Sequence, residues 1–111
     1  LAPGAAPLRV MLGHAYVATN NPANANEAIS VLTRVTQQEP ENYEAFQFLA
    51  MAYERKGDQG NALLAAAQGM FAQGLYIEAR TQANRAKRVL PEKSPGWLKA
   101  DDIMNWRPPK L

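Results

Sequence analysis

Apolar residues return every three to four positions along most of the chain, and six segments carry that spacing: 7–19, 25–38, 43–56, 59–73, 75–90 and 95–105. Helix-start and helix-stop residues stand between them. Asn24 followed by Glu27 has the spacing of a capping box, in which the Asn side chain accepts from an orphan backbone N–H and the Glu reaches back. Asn42, just after Pro40, is a second N-cap candidate. Gly57 tolerates the left-handed backbone that closes a helix, and Asp58 caps the next one. Ser94 precedes Pro95, a proline at the first helical position, where its missing N–H costs nothing. The segments are rich in Ala, Leu, Gln, Glu, Arg and Met, with no alternating β-branched run. The pattern predicts an all-α chain of about six helices, and short connections make consecutive helices antiparallel.

At 111 residues and 12.2 kDa the chain has length for one core. We place the helical domain at 7–106, after a Pro/Ala/Gly linker at 1–6 and before a Pro-rich tail at 107–111. A chain that opens in linker-like sequence reads as an excised piece of a longer protein. Its N-terminal face, with Leu8, Met11, Leu12 and Ala15, would then have lost a preceding neighbour and would be available for homodimerisation.

The segments also repeat. Leu12-Gly13-His14-Ala15-Tyr16, Ala28, Leu32 and Pro40 form one helix-turn-helix unit, and Phe46, Leu49-Ala50, Tyr53, Gly57 and Ala62 begin a second. Ala79, Ala83 and Ala86 before Pro91 restate the second-helix pattern. This resembles the tetratricopeptide repeat, a helical hairpin of about 34 residues with small residues where its helices meet. The resemblance implies a right-handed α-solenoid of antiparallel hairpins. Departures accompany it: Arg9 stands where an aromatic is usual, and Gly74 where the second unit would close with proline. Segment 59–73 can be paired with the helix before it or the one after.

In the repeat register, the positions facing the binding groove are Val10, His14, Val17, Glu44, Gln47, Met51, Glu54, Leu64, Gln68 and Phe71. These are mostly apolar or neutral, which suits an extended or helical peptide. They lack the Lys and Asn clamp of the chaperone-binding tetratricopeptide subgroup. Trp97 reads as the apolar anchor of the last helix, and Trp106 as a cover for a hydrophobic edge.

Tyr53-Glu-Arg-Lys-Gly-Asp58, the alanine-rich run Ala62 to Gln73, Glu78-Ala-Arg80, Arg88-Val-Leu-Pro91 and Ser94-Pro-Gly-Trp97-Leu-Lys-Ala-Asp-Asp-Ile103 resemble a more specific family. It is that of bacterial periplasmic zinc metalloproteases with an HExxH catalytic domain and a C-terminal tetratricopeptide domain, implicated in outer-membrane protein quality control. The resemblance implies a periplasmic setting, zinc only in an upstream protease domain, and a role here in recruiting substrates or outer-membrane assembly proteins. It also implies that the domain can lean on its own protease domain. A scaffold segment of an unrelated assembly is the alternative.

Charge and chemistry support an interaction module. The net charge is +2 from twelve basic and ten acidic residues that are interspersed, so no nucleic-acid partner is expected. The densest basic stretch, Arg80, Arg85, Lys87 and Arg88, lies toward a helix C-terminus, where cations suit the helix dipole. With no cysteine and one histidine, His14, the chain offers no metal set of its own, and no cofactor is expected. It has no HExxH, P-loop, dinucleotide turn or nucleophile elbow, and we read it as having no catalytic site. No apolar run approaches the length of a membrane span.

Overall fold

The computed structural model describes residue 11 and residues 22–108, and those residues form an all-helical fold without strands. Its helices are α1 (Pro22–Gln38), α2 (Tyr43–Lys56), α3 (Gln59–Ala72), α4 (Tyr76–Val89) and α5 (Pro95–Asn105). The segment 7–19, expected as a further helix, lies outside the described residues apart from Met11.

The capping chemistry explains most boundaries. Asn42 Oδ1 accepts from the Ala45 amide at 3.1 Å, Asp58 Oδ1 from Asn61 at 3.2 Å and Ser94 Oγ from Trp97 at 3.3 Å. Gly57 sits at φ 83° beyond α2, and the following amide of Asp58 donates to Tyr53 O at 2.9 Å. Gly74, at φ 82°, closes α3 the same way, with Leu75 N donating to Met70 O at 2.9 Å. Both are glycine-dependent C-terminal motifs, so Gly74 ends its helix by a left-handed turn in place of the proline the repeat would supply. One expected cap is not formed. α1 already includes Pro22, which leaves Asn24 inside the helix, so Asn24 and Glu27 are not its capping box.

α3 is the hub. It packs against α2 on one side, α4 on the other, and α5 along part of its length. Its sequence is apolar nearly all round, the mark of a helix enclosed by neighbours, and its buried positions are Gly60, Ala62, Leu64, Ala65, Ala67 and Gly69. Ala65 joins a cluster with Ala28, Leu32 and Val35 of α1 and Ala45, Leu49, Ala50 and Ala52 of α2. Leu64 and Ala67 join a second with Ala83 and Ala86 of α4 and Ala100 of α5. The segment that sequence could pair either way therefore belongs to both neighbours.

Small residues set the approach distances. A Cβ on Gly69 would lie 3.1 Å from Phe46 Cβ and 3.5 Å from Tyr43 O. Across the other faces, a Cβ on Gly60 would meet Leu90 Cδ2 at 2.7 Å, and one on Gly96 would meet Leu90 Cδ1 at 3.3 Å and Leu64 Cδ2 at 3.5 Å. Ala100, fully buried, anchors α5. Trp97, expected in that role, is half-buried with the Lys87 and Lys93 ammoniums 4.3 Å and 4.9 Å from its ring centroid. Its ring lies under those cations, while Ala100 is the buried α5 side chain of the second cluster and Ile103 and Met104 pack against it.

The Gly69 contact makes a graded prediction. Gly69→Ala gains up to about 1 kcal/mol of helix propensity against the tight Phe46 contact and should stay within ~1 kcal/mol of wild type. Gly69→Val adds branches with no room beside Phe46 and should cost about 1–3 kcal/mol, lowering Tm by roughly 4–8 °C per kcal/mol. Thermal melts followed by circular dichroism separate the two, and equal melting points would show that α2 and α3 are not held at this distance.

Candidate functional site

The residues proposed to face a groove fall into separate groups. Glu44, Gln47, Met51 and Glu54 recur at helical spacing on α2 and are all exposed, forming one solvent stripe. Leu64 is 6% exposed, belongs to the core and also lines a cleft. Gln68 and Phe71, on α3, are half-buried and open onto a cleft. Val10, His14 and Val17 lie outside the described residues.

That cleft runs between α1 and α2 on one side and α5 on the other, with α3 as its floor. Its larger chamber, about 440 Å³, takes Thr33, Thr36 and Gln37 from α1, and Phe46, Leu49 and Tyr53 from α2. The floor is Asn61, Leu64, Ala65 and Gln68, and the far wall is Pro95, Gly96 and Lys99. A second chamber of about 340 Å³ shares Pro40, Phe46, Gln68 and Lys99 with the first, and adds Phe71, Ala72, Asp102 and Ile103. Phe46, Leu49 and Tyr53 repeat at i, i+3 and i+7, so they form the α2 stripe that faces the cleft, on a different side of the helix from Met51. Repeat register marks the Met51 stripe and, on α3, Leu64, Gln68 and Phe71 of the cleft, whereas the α2 wall of the cleft comes from Leu49 and Tyr53, which the register assigns to packing between helices. The alternation Phe46, Leu49, Tyr53 alone carries no sign that a gap lies beside it.

The electrostatics at this end are modest. Burial pushes the Tyr53 phenol above its ordinary pKa, the Asp58 carboxylate adds to that, and a hydrogen bond with Thr33 opposes it. Tyr53 is therefore a neutral hydroxyl across the physiological range. Asn61 Nδ2 donates to Asp58 Oδ2 at 2.8 Å, tying the start of α3 to its own cap.

The Phe71 end is closed by aromatics. Phe71 meets Tyr76 edge-on at 5.1 Å and Trp106 at 5.0 Å, and Tyr76 lies 4.5 Å from Trp106, all in the range where ring pairs attract. Arg80 Nη2 donates to Trp106 O at 3.0 Å. Trp106 thus covers the junction of α3 and α4, and its backbone leaves helical geometry there at ψ 138°. The basic stretch on α4 is divided among separate tasks: Arg80 holds Trp106, Arg85 Nη1 reaches Gln82 Oε1 at 3.5 Å, and Lys87 pairs with Asp101 at 2.7 Å. Among the described residues no group of three His, Asp or Glu side chains is placed to hold a metal ion, and no helix is long and apolar enough to cross a membrane.

No family model, curated protein or solved structure matches this chain.

Lys87 holds the Asp101 carboxyl below its ordinary pKa, chiefly through their hydrogen bond. Because the folded pKa is the lower one, the pair's contribution is full above about pH 4, the ordinary carboxylate value, and is lost as pH falls through the depressed folded pKa. Urea melts of wild type and Asp101→Asn should therefore differ at pH 7, and the difference should shrink as pH falls below the ordinary carboxylate range. A difference that persists unchanged at low pH would remove the ion pair as its source.

Proposed function

We propose that this chain is a protein-binding module without a catalytic site or cofactor of its own, the C-terminal tetratricopeptide region of a bacterial periplasmic zinc metalloprotease. In that reading it recruits substrates or envelope-assembly proteins, or leans on its own protease domain, and zinc belongs to that upstream domain. The observation that carries the reading is the two-chambered cleft. Its lining combines apolar side chains with amides and hydroxyls, and helices from both ends of the described fold contribute to it. Clefts of this size and lining accept peptide side chains while fixing the backbone with a few polar groups. The stacked antiparallel helices with alanine interfaces and the stretches from Tyr53 to Ile103 support the family assignment.

Crosslinking capture from a bacterial envelope extract tests it, using wild type, a Thr36→Arg/Gln68→Arg cleft variant and a Met51→Glu variant of the α2 stripe, each checked for folding by circular dichroism. Wild type should capture outer-membrane assembly proteins or an HExxH protease. The cleft variant should lose at least about nine-tenths of that signal and Met51→Glu should keep it. Loss with Met51→Glu alone would move the site to the α2 stripe. Capture only of proteins unrelated to the envelope would favour a scaffold segment of another assembly, and no specific capture would overturn the recruitment reading.

A further inference from the structure

Some polar side chains on the cleft wall are used by the protein itself: Thr36 Oγ1 donates to Thr33 O at 2.8 Å, and Asn61 Nδ2 donates to Asp58 Oδ2 at 2.8 Å. Gln37, Gln68 and Lys99 are different. They come from α1, α3 and α5, they converge on the larger chamber, and none has a hydrogen bond or ion pair within the described structure.

The charges are ordered as well. Of the two acids on α5, Asp101 is engaged by Lys87 at 2.7 Å and sits outside the cleft lining. Asp102 lines only the smaller chamber, toward Phe71. Lys99 borders both chambers and, among the described residues, is the one charged side chain on the larger. Among the described residues, the middle of the cleft therefore carries an ammonium without an ion pair beside two unpaired amides, next to the apolar side chains of Phe46, Leu49 and Leu64.

We propose that the cleft takes an extended segment of another protein, with an apolar side chain seated over Phe46, Leu49 and Leu64 and a carboxylate side chain against Lys99. This deepens the protein-binding reading and rests on it. An extended strand fits better than a helix because its backbone N–H and C=O groups are free to meet Gln37 and Gln68, whereas a helix has already paired them. A single cation with Asp102 beyond it does not suit a phosphate chain, which needs several. Asp102 sets polarity: a second acid toward the Phe71 end is repelled, and a basic residue is accepted there.

The test is selection of displayed random octapeptides, fused at both ends so that no free terminus is presented, against the full 111-residue chain. Enriched sequences should pair an apolar residue with an acid. An end-blocked synthetic peptide of that set should bind about tenfold more weakly to Lys99→Ala, the scale of one lost charge-assisted contact. Selection against Lys99→Glu should exchange the acid for Lys or Arg, and an Asp→Lys change in the peptide should restore binding to that variant. Lys99 is exposed, so these changes leave the core intact. Enrichment without an acid, indifference to Lys99→Glu, or no enrichment would overturn the proposal. Peptides that depend on Met51 and not on Lys99 would overturn it while leaving the protein-binding reading in place. Acidic peptides selected by a chain that captures nothing from envelope extract would uphold the cleft and remove the envelope assignment.

Discussion

The approach of α3 to its neighbours rests on side chains that are barely there. Gly60, Ala62, Ala65, Ala67 and Gly69 occupy all of its buried positions but that of Leu64, and a single Cβ at Gly69 would already press on Phe46. Backbones can come this close only where side chains are short. The cost is that alanine burial removes little apolar area from water, and stabilisation scales with that area. Leu32 and Val35 are the largest fully buried side chains among the described residues. The larger residues work at the seams, where Leu90 fills the space left by Gly60 and Gly96 and the aromatics Phe71, Tyr76 and Trp106 close the α3/α4 junction.

The cleft follows from the same constraint. α5 is drawn onto α3 and α4 through Ala100 and Gly96, and α1 is drawn onto α2 through Ala28, Leu32 and Val35. Among the described residues α1 and α5 do not pack on each other. The two walls are therefore separate elements referred to one floor, and the gap between them is what remains after each has buried its own small residues.

This explains which features could be read from the sequence. Helix starts at Asn42, Asp58 and Ser94 and the stop at Gly57 were legible because each depends on a side chain or a φ value within a few residues. The stop at Gly74 was legible as a departure from the repeat, and its left-handed turn supplies the reason. The cap expected at Asn24 was misread, since α1 already runs through that residue. Alanine at 79, 83 and 86 announced a close interface, and all three are buried in it. Trp97 misled because a large apolar side chain is ordinarily an anchor, yet α5 is seated through Ala100 with Ile103 and Met104 packed beside it, and Trp97 lies under two ammoniums.

The cleft was the least legible feature, because it belongs to no one element. Periodicity identifies Phe46, Leu49 and Tyr53 as inward-facing, but whether their outer edges meet another side chain or a gap depends on where α5 comes to rest, about 50 residues later. A polar residue such as Gln68 within an apolar helix is an ambiguous sign: burial would demand a partner for its amide, whereas a cleft leaves it hydrated. Gln68 is half-buried with its amide unpaired by the described residues, and the helix around it is too apolar to be a solvent-facing surface. Those two facts are reconciled only by an opening above it. The polar interruption of α3 is therefore the local trace of the cleft, and the small residues that flank it, Ala65 and Gly69, are what keep α2 close enough to form its wall.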